Sequence, residues 1–199
     1  MIPFRTQVKF LLDIDKASDV DLADFVGVFQ RWIQQNALDE LLIDVADYKH
    51  VFEGPGIVLI GHFSDYSIES REGHVGLLYT RKRQVEGELQ SQLRTAIRFA
   101  LKAAALLEAE ADFDPRLKFR ADAFEIRFAD RLQLPNQPES FAAILGDLQV
   151  VLSELYGGNK VAFAPRASDP RHLLTVDVQG EGATAITDLL QQFQASVES

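Results

Sequence analysis

The chain contains no cysteine, one methionine and one tryptophan in 199 residues. Without thiols, it has no disulfides, zinc–thiolate sites, iron–sulfur clusters or cysteine nucleophiles. No apolar run approaches the roughly 20 residues a helix needs to cross a bilayer. A Walker A loop, a dinucleotide GxGxxG, HExxH, a nucleophile elbow and an EF-hand loop are also missing. The glycines between Gly54 and Gly61 are too widely spaced for a phosphate cradle, and they lead into a strand. Cations are the minority, 20 Lys and Arg against 30 Asp and Glu, for a net charge of −10. That field repels polyphosphates and anionic bilayers, so neither nucleic acid nor membrane is expected as a partner. The opening MIPFRTQVKFLLDID has no export-signal pattern, which with the missing cysteine gives a cytoplasmic expectation.

The remainder has ordinary globular composition, 47% hydrophobic and 25% charged. It is long enough to bury a core without cross-links, as a single α+β domain over residues 1–199. Val8, Phe10, Leu12 and Ile14 alternate, which predicts a strand. Ser18 and Asp21 form an approximate capping box before Leu22, Phe25, Val26, Phe29, Trp32 and Ile33, an amphipathic helix. Trp32 belongs to its core stripe. Leu38–Tyr48 reads as a strand with Leu41, Ile43 and Val45 on one face. Gly54-Pro55-Gly56 is a turn joining it to an antiparallel neighbour.

Gly56–Arg83 reads as a hairpin. Strands at Ile57–Ile60 and Val75–Tyr79 flank a long polar tip with Asp65, Tyr66 and His74. Val85–Ala111 is the longest helical pattern, stopped by Asp114-Pro115. Leu117–Leu132 is extended, with a change of parity that calls for a bulge or bend near Ala121. Pro138 starts a helix that Gly157-Gly158 ends. Lys160–Pro165 and His172–Gln179 make a strand pair, and Ala183–Phe193 a closing helix.

The order of elements suggests an internal duplication. Val8 and Phe124, Phe25 and Phe141, and Ile57 and Leu173 are separated by the same 116 residues. Val85 and Ala183 are separated by 98, and the 18-residue difference matches the Tyr66–Arg83 segment. The expectation is a mostly antiparallel sheet with helices on one face. Two βαββα-like halves, about 1–113 and 114–199, would be related by a pseudo-twofold. The first half plus the Phe124 strand has ferredoxin-like order.

Three groups of residues are candidates for chemistry. His62, Asp65 and His74, with Ser64 and Tyr66, offer imidazoles and a carboxylate for acid–base work. Arg81, Arg83, Arg94 and Arg98, with Lys82 and Lys102, offer guanidinium forks for a carboxylate or phosphate. Asp13, Asp15, Asp44 and Asp47 lie near strand ends, where aspartates cap and turn, so no metal site is expected. His50 and His172 stand alone. Each group also has a plain structural reading: polar edge and loop residues, a solvated charged face, and turn formers.

The runs LDELLIDVADY (Leu38–Tyr48), GPGIVLIGH (Gly54–His62) and GLLYTRKR (Gly76–Arg83) resemble a group of uncharacterised bacterial proteins of similar length. The resemblance implies a bacterial, cytoplasmic, stand-alone domain and carries no cofactor or functional residue. The leading expectation is binding of a small anionic ligand or a protein partner, a second copy of the chain included, through the Gly61–Arg83 hairpin. Tyr66, Arg81, Arg83, Arg94 and Arg98 are the ligand candidates. The alternative is an enzyme using His62 and Asp65, with an arginine-held anionic substrate.

Overall fold

Period-two apolar alternation in seven segments and period-3.6 stripes in four others dictate an antiparallel sheet backed by helices. The computed structural model describes residues 5–13, 21–83, 87–113, 117–167, 169–183 and 185–197. The elements run β1 (Thr6–Leu12), α1 (Asp24–Gln35), β2 (Leu42–Tyr48), β3 (Gly56–Gly61), β4 (Ser64–Glu69), β5 (Gly76–Arg81), α2 (Leu89–Ala109), β6 (Phe119–Phe128), α3 (Pro138–Leu155), β7 (Val161–Pro165), β8 (Leu174–Gly180) and α4 (Ile186–Val197). A single 3₁₀ turn, Arg71–Gly73, lies between β4 and β5. All eight strands join one sheet in the order β2-β3-β4-β5-β1-β6-β8-β7, and every pairing is antiparallel.

The helices lie along one side of this sheet. α1 packs on β2 and β3, α2 on β1 and β5, α4 on β6 and α3 on β7, with α2 against both α3 and α4. They cover one strand parity: Val8 and Phe10 of β1, Leu77 and Tyr79 of β5, Tyr66 and Ile68 of β4, Ile126 and Phe124 of β6, Val176 and Val178 of β8, all fully buried. Phe10 stacks on Phe124 with ring centroids 5.0 Å apart. Trp32 is in this core, and its indole N–H donates to Glu110 Oε1 at 2.5 Å.

Several expectations are met closely. Pro138 opens α3, and Gly157 and Gly158 follow its end with φ of 58° and 78°. The bend near Ala121 appears as a register shift: Phe10 faces Phe124, while Leu12 faces Phe119. Other expectations are corrected. The long polar tip between Ile60 and Val75 is a full inner strand, β4, followed by the 3₁₀ turn. β2 carries a register shift between Leu42 and Asp44, so Leu42 turns inward and Leu41 and Ile43 are exposed. The Ser18 cap, Asp15, Val85 and the Asp114-Pro115 stop lie outside the described residues.

From the β1–β6 seam the order runs outward as β5-β4-β3-β2 on one side and β8-β7 on the other. With β4 and β5 taken out, the second half lists the same elements in the same spatial order as the first. No helix among the described residues is long and apolar enough to cross a membrane.

Candidate functional site

The opposite parity of the strands faces away from the helices, and its residues on β1, β6 and β8 are largely polar. In register across the inner strands stand Ser67 (β4), Leu78 (β5), Lys9 (β1), Glu125 (β6) and Asp177 (β8). The neighbouring row holds Asp65, Thr80, Gln7, Arg127 and Thr175. Glu69 lies beyond Ser67 on β4, opposite Gly76.

These side chains form a chain of alternating charge. Lys9 Nζ donates to Glu69 Oε1 at 2.9 Å and to the His74 carbonyl at 2.5 Å. Arg127 Nη1 donates to Glu69 Oε1 at 2.7 Å, while its Nε and Nη2 reach Glu125 Oε2 at 3.0 and 2.7 Å. Arg166, just past β7, donates to Glu125 Oε1 at 2.8 Å and to Asp177 Oδ2 at 3.1 Å. Lys9 is 0% exposed, Glu69 and Glu125 are each 1% exposed and Arg127 is 5% exposed, although they lie on the face turned away from the described helices. Each buried charge therefore relies on its neighbours in the chain, because an unpaired charge at such depth is strongly disfavoured.

Gly76 makes the first link possible. A Cβ there would come within 2.4 Å of the Phe10 carbonyl oxygen and 3.0 Å of Lys9 Cε. Lys9 crosses β5 at the one position with no side chain and reaches Glu69 on the strand beyond.

Burial alone would push the Glu69 carboxyl up, but Arg127 and Lys9 outweigh it and hold the group below its ordinary value. Glu125 is likewise held down by Arg127 and Arg166 against its burial. Burial pulls the Lys9 ammonium below its ordinary value, with the nearby Arg127 charge acting in the same direction.

Above the Arg127 end of this chain lies a cleft of about 640 Å³. Five arginines line it: Arg71, Arg127, Arg131, Arg166 and Arg171. His172, Thr175, Leu173, Phe52 and Glu53 complete the wall. Phe52 and Arg71 lie on turns at one end of the strands, whereas Arg171 and His172 lie on the β7–β8 loop at the other end. The right-handed twist, roughly 20–25° per strand, swings such diagonal corners of a wide sheet toward each other.

The five guanidiniums are not equivalent. Arg127 and Arg166 are spent within the buried chain, and Arg171 pairs with Asp169 at 2.7 Å. Among the described residues, Arg71 donates only to the Glu53 carbonyl at 3.5 Å and Arg131 only to the Arg171 carbonyl at 2.7 Å. Neither has a carboxylate partner among the described residues. Both are exposed, as is His172. The Asp169 carbonyl, which accepts from the His172 backbone N–H at 2.8 Å and from Asn136 Nδ2 at 3.1 Å, anchors the loop that carries Arg171 and His172.

The residues singled out from sequence are distributed differently. His62 sits on the β3–β4 turn, edge-on to Phe63 at 4.6 Å. His74 lies beyond the far end of β4, and a six-residue strand is about 20 Å long. The two imidazoles therefore do not meet. Asp65 pairs with Lys82 at 2.8 Å, and Lys82 also donates to the Gly61 carbonyl at 2.6 Å. Glu40 clips the same turn: its Oε2 accepts from the backbone N–H groups of Phe63 and Ser64, at 2.9 and 3.0 Å, and its Oε1 from Tyr66 Oη at 2.9 Å. Tyr66 is buried, and burial beside Glu40 pushes its hydroxyl well up.

Arg81 and Arg83 stack over Phe63 at 5.3 and 5.8 Å. They border a void of about 10 Å³, no larger than one water. Arg94 is held bidentate by Glu154 of α3 at 2.7 Å, Lys102 pairs with Asp39, and Arg98 lies over Phe99 at 5.2 Å. Apart from Arg81 and Arg83, which share Phe63, the 81–102 cations thus face separate partners. Leu77 and Tyr79 are fully buried, so they cannot form a contact face of the hairpin. Among the described residues, no group of three acidic or imidazole side chains could hold a metal ion.

Sequence reasoning missed Arg71, Arg131 and Arg171 and set His172 aside as standing alone, because they sit on three separate loops. Lys9, Glu69, Glu125, Arg127 and Asp177 did leave a signal: charges at alternate positions of strands with apolar residues between them. Comparison with known protein families, with curated proteins and with solved structures finds no match for this chain.

Proposed function

We propose that the protein binds a small anion in the arginine-walled cleft, with the 61–83 segment supplying part of the floor and Arg71. One observation carries this reading. Arg71 and Arg131 border the cleft without carboxylate partners among the described residues, on a sheet face where each deeper cation is matched by an acid. In a chain of net charge −10, two such guanidiniums beside a histidine are a local exception to the overall field. Paired forks of this kind suit a carboxylate or phosphate. The buried chain of charges beneath fixes the floor, so that little reorganisation accompanies binding.

The resemblance noted above and the missing cysteine support a bacterial cytoplasmic setting. The repeated element order supports two βαββα units with β4 and β5 inserted in the first. No observation favours the His62/Asp65 enzyme over the binding reading, since Asp65 is engaged by Lys82 and His74 is a strand length away.

Thermal unfolding with inorganic phosphate, citrate and acetate tests the proposal. A ligand at a hundred times its Kd raises stability by about 2.7 kcal/mol. Arg131→Ala and Arg71→Ala should each reduce the shift at fixed anion concentration. Absence of any shift with all three anions would sink the reading.

A further inference from the structure

The anion cleft adjoins a second hollow of about 440 Å³ over β3, β4, β5 and β1. Arg71, Arg127 and Leu173 line both. The apolar lining of the second hollow is Tyr48, Pro55, Val58, Ile60, Leu78 and Leu173. Val58 and Leu78 flank Ser67 in one cross-strand row. At about 4.8 Å per strand that row spans roughly 10 Å.

Most polar groups of this floor are already engaged. Thr80 Oγ1 accepts from Gln7 Nε2 at 3.0 Å, and Ser67 Oγ points to the Leu78 carbonyl at 3.5 Å. Asp65 is ion-paired with Lys82, although among the described residues its buried Oδ1 accepts no well-directed hydrogen bond, and Glu69 is paired with Lys9 and Arg127. A guest over this floor meets apolar side chains and polar ones that are mostly satisfied, so it gains more by bringing hydrocarbon than hydrogen-bonding groups. At the adjoining end it meets Arg71 and Arg131. The two hollows together have the form of most small-ligand sites, an apolar trough with a few convergent polar groups at one end.

We infer that the ligand is a small amphiphilic anion, an acyl carboxylate or alkyl phosphate, its head on Arg71 and Arg131 and its chain across Val58, Ile60 and Leu78. This rests on the anion-binding reading above and adds the ligand's apolar half. Free acids and phosphate esters share the required chemistry, and the experiment separates them by head group.

The test is calorimetric titration of the full chain with acetate, butanoate, hexanoate and octanoate, alongside inorganic phosphate and octyl phosphate. The dissociation constant is expected to fall about two- to fourfold per methylene until the trough is filled. A lower constant for octyl phosphate than for octanoate would mark the phosphate ester as the better head group, and the reverse the carboxylate.

Arg131→Ala should weaken every member by a similar factor and leave the chain-length slope intact. Ile60→Asn and Tyr48→Ser should flatten the slope and leave butanoate and phosphate binding in place. Arg131 and Tyr48 are exposed and Ile60 is half-buried, and unchanged circular dichroism verifies that each variant folds. Phosphate and acetate binding with no chain-length dependence would overturn the amphiphile and leave the anion cleft standing. A slope that survives both trough variants, or a series indifferent to Arg131→Ala, would also overturn the inference. No binding by any compound would overturn both readings.

Discussion

The two faces of the one sheet solve opposite problems with the same strands. On the helix side, Phe10, Phe124, Ile126, Leu77 and Tyr79 are buried by packing, which is non-directional and tolerant of small adjustments. On the far side, turned away from the described helices, Lys9, Glu69, Arg127 and Glu125 are almost equally buried, and each depends on a named partner at a named distance. The first face makes the domain stable. The second makes one arrangement of side chains much better than its alternatives, as the proposed ligand floor would require.

That contrast can be broken most sharply by removing one side chain from each face. Phe124→Ala leaves a cavity against Phe10 and should cost about 3–5 kcal/mol in denaturant unfolding. Glu69→Ala strands the Lys9 charge and leaves Arg127 with Glu125 alone, and should cost about 3–5 kcal/mol as well. The double change Lys9→Met with Glu69→Leu should recover much of the second loss, because it removes a buried ion pair together rather than by halves. A Lys9/Glu69 double variant no better than Glu69→Ala would show that this face is not held by charge pairing.

Gly76→Ala probes the crossing point itself. Its Cβ would press on the Phe10 carbonyl and on Lys9 Cε, so about 1–3 kcal/mol should be lost. A neutral Gly76→Ala in a urea melt would mean that Lys9 does not need this passage.

The smallest effect is the response to acid. Glu69 and Glu125 have folded values below their ordinary 4.5, so they hold protons less tightly folded than unfolded. Their contribution is complete above about pH 4.5 and is lost as pH falls through the depressed folded values. Glu69→Gln should make stability less steep in that window. An unchanged slope would assign the acid response to other carboxylates.

How far such features could be read from residue order depends on the range of the interaction that decides them. Local chemistry placed Pro138 at the start of α3, Gly157-Gly158 at its end, and the bend near Ala121. It failed at β4 because Ser64, Asp65, Ser67 and Glu69 have turn-like composition. Only a strand on either side, with Lys9 and Arg127 reaching over, makes a buried place for Glu69. It failed again at Leu41 and Ile43, where the alternation is real but the register shift of β2 turns Leu42 inward instead. The arginines it singled out share a stretch of chain, from Arg81 to Arg98, yet they do not converge: Arg81 and Arg83 share Phe63, while Arg94 and Arg98 turn to Glu154 and Phe99. The arginines that share a cleft are scattered from Arg71 to Arg171.

Residue order alone determined the class of this protein: an antiparallel sheet with helices on one face, no thiol chemistry, and charges at alternate positions of the inner strands. Those follow from side-chain periodicity and composition, which are properties of neighbours in the chain. Only the folded sheet decided that Lys9 would pass over Gly76 to Glu69. It also decided that Arg71 and Arg131 would border one cleft. Strand register and accumulated twist bring together groups 60 residues and more apart, and neither is encoded within any single strand.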